Sequence, residues 1–281
     1  MLRDQPKERP VFSIIVATFN ASSTLNRCLD SIANQDCNNY ELIIVDGGST
    51  DGTREILQAR TNLITYWQSA PDDGIFDAWN QGLAQTSGEW ICFLGADDRF
   101  WSAASLQQLH DKLPQAVDER SSIVYGKSMI VDSVGNVVDV KGEPWSAVRK
   151  RFRRGMCLPH PGMLHHRRLF ERHGNFDTGF RIAGDYEFLL RELTTGNALF
   201  VSNATVTAIA KGGVSDSTRH ALQSLSEARR ARQRNNVQLS AMSEAEIWVK
   251  HWASVAMSRL LGRRSTMNAK RIFRQIRSRV G

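Results

Sequence analysis

The run Trp90-Ile91-Cys92-Phe93-Leu94, with the residues that end it, constrains this chain more than any other stretch. Successive strand side chains point to opposite faces, so an unbroken apolar run suits a strand covered on both sides, as in a parallel sheet. The run then breaks into Gly95-Ala96-Asp97-Asp98. Two adjacent carboxylates repel each other unless a cation lies beside them. The carboxyl ends of strands are also where open α/β sheets bind their ligands. Ahead of the strand, Asp77, Ala78, Trp79 and Leu83 follow helical spacing from Gly74, and Ser87-Gly88 closes that helix.

The same alternation runs through the first hundred residues. Val11–Phe19 reads as a buried strand, and Asn20-Ala21-Ser22-Ser23 offers polar capping for a helix over 24–34. In that helix Leu25, Cys28, Leu29 and Ile32 make one apolar stripe. Glu41–Asp46 is a second strand, ending in Gly47-Gly48-Ser49-Thr50-Asp51-Gly52 before a helix to about Arg60. A third strand is expected over 62–68 and the fourth over 89–94. Strand–helix repetition of this kind predicts an α/β fold: a Rossmann-like, mostly parallel sheet with helices on both faces.

Beyond Arg99 the rhythm loosens. A helix is expected over 104–113, a hairpin from 121–131 and 136–140, and a short basic segment over 145–152. Pro159-His160-Pro161-Gly162 is a rigid loop, Gly184–Leu193 a helix with an acidic first turn, and Asn197–Ile209 a strand. Helical patterns return over 218–236, 243–261 and 267–279. The chain has 281 residues and a net charge of +7, unevenly placed. From Arg219 onward there are 14 Lys plus Arg against 3 Asp plus Glu, or +11, which leaves −4 for the rest. The expected division is therefore a globular unit over 11–217 and a basic, amphipathic helical extension over 218–281.

Four consecutive strand ends deliver polar groups: Thr18 and Asn20, then Asp46, then Asp73 through its loop, then Asp97 and Asp98. Singly, each has a plainer reading as a cap or turn residue. Together on one sheet edge they suit a nucleotide, whose base accepts and donates hydrogen bonds and whose diphosphate needs a divalent cation. No GxGxxG follows the first strand and no GxxxxGK[ST] occurs, which excludes the dinucleotide and P-loop forms.

The segments FSIIVATFN, ELIIVDGGSTDGT, DDGIFDAWNQG and GEWICFLGADD resemble glycosyltransferase family 2, the inverting enzymes of GT-A fold. The resemblance continues through CLPHPGMLHHRRLF, GNFDTGFRIAGDYEFLLR and KGGVS, and is similar in kind to bacterial enzymes of exopolysaccharide and surface-polysaccharide assembly. It implies a GT-A fold and transfer of a sugar from a nucleotide-diphosphate donor, a UDP-sugar first, to a saccharide or lipid-linked saccharide. It places Thr18, Asn20, Asp46, Asp73 and Asp97 on the donor, and Asp98 with Asp97 on a Mn²⁺ or Mg²⁺ ion. It makes Asp185 the general base, with Glu187 a competing carboxylate two positions on. Gly95 departs from the commoner aspartate and leaves one carboxylate fewer at the metal. Of the histidines, His160 is expected near the acceptor in preference to His165 and His166. The run Arg149, Lys150, Arg151, Arg153 and Arg154 reads equally as a solvated face or a pyrophosphate contact.

In the extension, Trp248, Trp252, Leu260, Leu261, Ile272 and Phe273 are interleaved with basic residues. That pattern suits an anionic membrane surface, and packing on the globular unit is its rival. No apolar run reaches membrane-spanning length, no leader-like segment opens the chain, and four cysteines at no metal-ligand spacing suit a reducing compartment. The expected location is the cytoplasm, peripheral at the inner membrane face. A nucleic-acid partner is not expected, since the globular part is acidic. The alternative of another class is a catalytically idle nucleotide-binding or scaffold protein of the same fold.

Overall fold

The computed structural model describes residues 9–212, 220–249 and 252. Its first half follows the expected alternation. Strands β1 (Phe12–Thr18), β2 (Tyr40–Asp46), β3 (Tyr66–Ser69) and β4 (Trp90–Gly95) are separated by α1 (Leu25–Ala33), α2 (Thr53–Ala59) and α3 (Ile75–Leu83). Neighbours lie in the order β3-β2-β1-β4, all parallel. The third strand is shorter than expected because residues 60–64 turn first, with the Leu63 and Ile64 amides donating to the Arg60 carbonyl.

Alternation of side chains along the strands builds two cores. Ile14, Val16, Leu42, Ile44, Cys92 and Leu94 face α1 and its neighbours on one side. Ile15, Ile43, Val45, Ile91 and Phe93 face α3 and later helices on the other. Phe93 is fully buried, and burial of one such ring contributes about 2–3 kcal/mol.

The second half adds β5 (Arg99–Phe100), α4 (Ser105–His110), α5 (Leu113–Asp118), β6 (Ile123–Val131), β7 (Val137–Lys141) and α6 (Trp145–Phe152). There follow β8 (Leu164–His166), α7 (Arg168–His173), α8 (Gly184–Leu193), β9 (Leu199–Ala210) and α9 (Ala221–Arg234). The helix expected over 104–113 is two helices, because Pro114 lacks an amide donor and opens a new one. The expected hairpin is present as β6–β7, with Asp132 accepting from the amides of Val134 and Asn136 in the turn. Strand β8, three residues long, pairs antiparallel with both β4 and β6 and so joins the two halves into one sheet.

Helix α9 falls within the expected extension, yet it is packed on the domain. Ala231 and, just beyond the helix, Val237 are buried in the core shared by α3 and α8. Arg232 is 2% exposed; one of its nitrogens donates to the Arg154 carbonyl and another to both oxygens of Glu244. The segments 250–251 and 253–281 lie outside the described residues.

Candidate active site

Strand register gathers the site. Thr18 is level with Asp46, Asp46 with Ser69, and Ala17 with Gly95, so the four parallel strands end in one row. Thr18 is 5% exposed, and its buried hydroxyl has no hydrogen-bond partner among the described residues. Asn20 sits at φ 48°, a left-handed conformation that asparagine tolerates. Its amide donates to the Ser49 hydroxyl and its side-chain oxygen accepts from the Thr50 amide, tying the first strand-end loop to the second.

Asp46 lies beneath the edge. It is fully buried and accepts from the Ser49 amide (2.9 Å), the Ser49 hydroxyl (2.5 Å) and the Ser69 hydroxyl (2.6 Å). Asp46, expected on the donor side, thus orders the Gly47–Ser49 loop at the end of its strand. At the third strand end two adjacent carboxylates lie in the loop. Asp73 is exposed, and the carboxylate turned over Gly47 belongs to Asp72. Asp72 accepts from the Gly74 amide at 2.8 Å, and burial, with Asp77, Asp46 and Asp73 nearby, pushes its carboxyl above the usual range.

Asp97 and Asp98 converge above Gly95. The position a Cβ would take on Gly95 is 2.8 Å from Asp97 Oδ1 and 3.1 Å from Asp98 Oδ2. Gly95 therefore leaves the space in which both carboxylates meet, and an aspartate there would displace them. Asp98 Oδ1 accepts from the Ala210 amide at the end of β9. Burial, then the charge of Asp97, pushes the Asp98 carboxyl up to about 7. The pair fits a divalent cation: two hard oxygens share one space, and their repulsion is what a cation relieves. No group of three or more His, Cys, Asp and Glu among the described residues is placed to hold a metal, so a bound ion would take further oxygens from substrate and water.

Asp185 opens α8. Its Oδ1 accepts from the Tyr186 amide at 2.7 Å, and burial raises its carboxyl to about 6 while Lys141 on β7 pulls it down. Two contacts tie this helix start to α3 and the loop before it. A Cβ on Gly184 would come within 2.7 Å of the Phe76 ring on α3. The Arg181 guanidinium donates to the Asp73 carbonyl. Glu187, the competing carboxylate, is 4% exposed and held by Arg191 through both oxygens, with Asn235 donating as well. It is a structural anchor.

His160 is 5% exposed and stacks on Trp79 at 5.0 Å and 27°. Burial, with His165 adjacent, depresses its pKa well below the ordinary value. The ring, expected near the acceptor, is part of the aromatic floor under α3, stacked on Trp79 and on Phe93. The basic run forms α6 and its end: Arg151 pairs with Glu143 and Arg154 with Glu246, while Arg149, Lys150 and Arg153 are exposed. Phe19 was not anticipated. It is 65% exposed at the end of β1, against Gly47, and offers an aromatic face beside the row of polar groups. Its only signal in sequence is an aromatic residue one place past the strand.

A curled α/β sheet with this strand-end row defines the class: a GT-A fold. Solved structures carry the same likeness. Staphylococcus aureus TarS 1–349 superposes with a TM-score of 0.61 at 18% identity, over 88% of this chain and 72% of that one. The mannosyltransferase PcManGT from Pyrobaculum calidifontis, in complex with GDP-Man and Mn²⁺, gives 0.58 at 18% identity, over 97% and 81%. The family model for glycosyl transferase family 2 matches residues 13–181, and the chain belongs to that family. Among relatives, a PGL/p-HBAD biosynthesis glycosyltransferase of Mycobacterium tuberculosis is 35% identical over 188 residues, covering 65% of this chain and 69% of its own. An uncharacterized glycosyltransferase of the same species is 34% identical over a stretch of equal length. Membership makes this chain a glycosyltransferase.

Proposed function

We propose that this glycosyltransferase moves a sugar, with inversion, from a nucleotide-diphosphate donor to a saccharide or lipid-linked saccharide of polysaccharide or glycolipid assembly. The observation that carries the reading is the row of strand ends: a buried Thr18 hydroxyl with no partner among the described residues, the Asn20–Ser49 loop pair, Asp72 over Gly47, and the Asp97/Asp98 pair over Gly95. A UDP-sugar is the first candidate. One structure of TarS contains UDP-GlcNAc and PcManGT contains GDP-Man, so both bases belong in the test.

In this reading Phe19 stacks on the base, the loops ordered by Asn20 and Asp46 hold the ribose, and Asp72 with Asp73 closes the donor side. Asp97 and Asp98 would hold Mn²⁺ or Mg²⁺, which supplies positive charge to the departing diphosphate. Asp185 takes the proton of the acceptor hydroxyl as that oxygen bonds to the anomeric carbon. The bond from that carbon to the diphosphate oxygen breaks, and the nucleoside diphosphate leaves with the electron pair. Attack opposite the leaving group inverts the centre. A carboxylate raised to about 6 is well matched to this work near neutral pH, since it is ionised there yet basic enough to accept a proton.

The extension is assigned to an anionic membrane surface, with the enzyme peripheral on the inner face. Support comes from Met242, Val249 and Trp252, which are exposed at 82%, 67% and 51% beside the basic sequence that follows. No helix among the described residues is long and apolar enough to cross a membrane.

Asp185→Asn tests the base. It should lower kcat by at least about a hundredfold while nucleotide binding stays within about threefold. In the wild type, kcat should fall below an acid limb near pH 6, because protonated Asp185 is no base. Wild-type turnover in the variant would remove Asp185 from the mechanism.

A further inference from the structure

Glu227 lies on α9, outside every segment that carried the family resemblance, and is 7% exposed. Its Oε2 accepts from the amides of Ile182 at 2.8 Å and Ala183 at 2.9 Å, and both of its oxygens accept from the Arg181 amide at 3.1 Å. Gln223, one turn earlier, donates to Oε1. A carboxylate that receives three consecutive backbone amides holds that backbone in one conformation, since charge-assisted bonds are about twice as strong as neutral ones. These amides immediately precede Gly184 and Asp185.

Two more α9 side chains grip the same loop. Arg230 donates to the Gly179 carbonyl at 2.6 Å and its guanidinium lies 3.9 Å over the Phe180 ring. Arg234 pairs with Asp177. The far side of the loop reaches the donor segment, where Arg181 donates to the Asp73 carbonyl. The loop 177–183 is thus held between α9 and the residues assigned to the donor.

We propose that Glu227 is a positioning residue for sugar transfer: it fixes the backbone of residues 181–183 and thereby the place of Asp185 relative to the bound donor. The proposal rests on the reading of Asp185 as the base. Glu227 itself touches no reacting atom. Its duty is to hold the loop, so its loss should weaken the chemical step more than donor binding. The charged groups facing Asp185 are Lys141 from β7 and Glu227 from α9.

Two measurements on the full chain with Glu227→Gln decide it. Amide hydrogen exchange over residues 181–183 should rise by about tenfold or more while β1 and β4 stay protected. Unchanged exchange overturns the clamp. Nucleoside diphosphate release from UDP-GlcNAc or GDP-mannose with Mn²⁺ should show kcat down by about tenfold with donor KM within about threefold. In an Asp185→Asn background the same change should add little, because both act on one step. Wild-type kcat, or a loss that multiplies fully with Asp185→Asn, overturns the proposal. If Glu227→Gln does not fold, Arg230→Ala takes its place with the same expected and contrary results. If Asp185→Asn alone turns over normally, the base assignment has failed; if it is inactive while Glu227→Gln is normal, only the positioning role has.

Discussion

At the scale of single residues, spacing and chemistry separate what sequence shows from what it hides. Asp97 and Asp98 are legible because two carboxylates after a buried strand have few other uses. The reading of Asp185 as a base rests on the family resemblance, since an acidic residue at a helix start usually serves the dipole. Asp72 and Asp73 are adjacent, and which of them turns over Gly47 depends on loop geometry that no periodicity encodes. His160 sits in a Pro-flanked loop that looks exposed in sequence, whereas stacking on Trp79 draws the ring inside. Phe19 hid as one more apolar residue after a strand. If its ring stacks on the donor base, Phe19→Ala should raise donor KM by roughly 5- to 150-fold, since such stacking contributes about 1–3 kcal/mol, and kcat should hold. Steady-state kinetics with the accepted nucleotide sugar checks this; an unchanged KM would place the base elsewhere.

At the scale of elements, long periodic segments were readable and short ones were not. The four parallel strands and α1, α3 and α8 follow from apolar runs and stripes. Strand β8 has three residues and α7 has six, too few for either period to register. Helix α9 was readable as a helix, but its role was obscured by its charge, because the arginines that placed it in a basic extension include ones that bind Gly179, Asp177 and Glu244. The contact between α3 and α8 carries the geometry of the site. Gly184→Ala would drive a methyl into the Phe76 ring, shift the start of α8 and cost about 1–3 kcal/mol. The expected result is a lower Tm together with a larger fall in kcat than in donor affinity, read by thermal melts and kinetics. An unchanged kcat would show that Asp185 tolerates movement of its helix.

At the scale of the whole molecule, the parallel half of the sheet supplies the row of strand ends and the mixed half brings Asp185 and α9 to it. The charge asymmetry remains the most visible large-scale feature of the sequence, with +11 from residue 219 onward. Vesicle sedimentation tests its assigned use. The full chain should partition to anionic vesicles, lose that partition when residues 250–281 are removed, and ignore zwitterionic vesicles. Equal partition of both forms would assign these residues another role. The central claim, that the strand-end row holds a metal-bound nucleotide sugar, is tested most directly by thermal shift. UDP-GlcNAc, UDP-glucose and GDP-mannose are compared with and without Mn²⁺, in the wild type and in Asp98→Asn. One donor with Mn²⁺ at about a hundred times its Kd should raise the wild-type Tm by roughly 5 °C. The Mn²⁺-dependent part should shrink from pH 8 to pH 6, as protons compete for a carboxyl raised to about 7, and should vanish in Asp98→Asn. No shift with any donor, or a Mn²⁺-dependent shift that survives in Asp98→Asn, would contradict the claim.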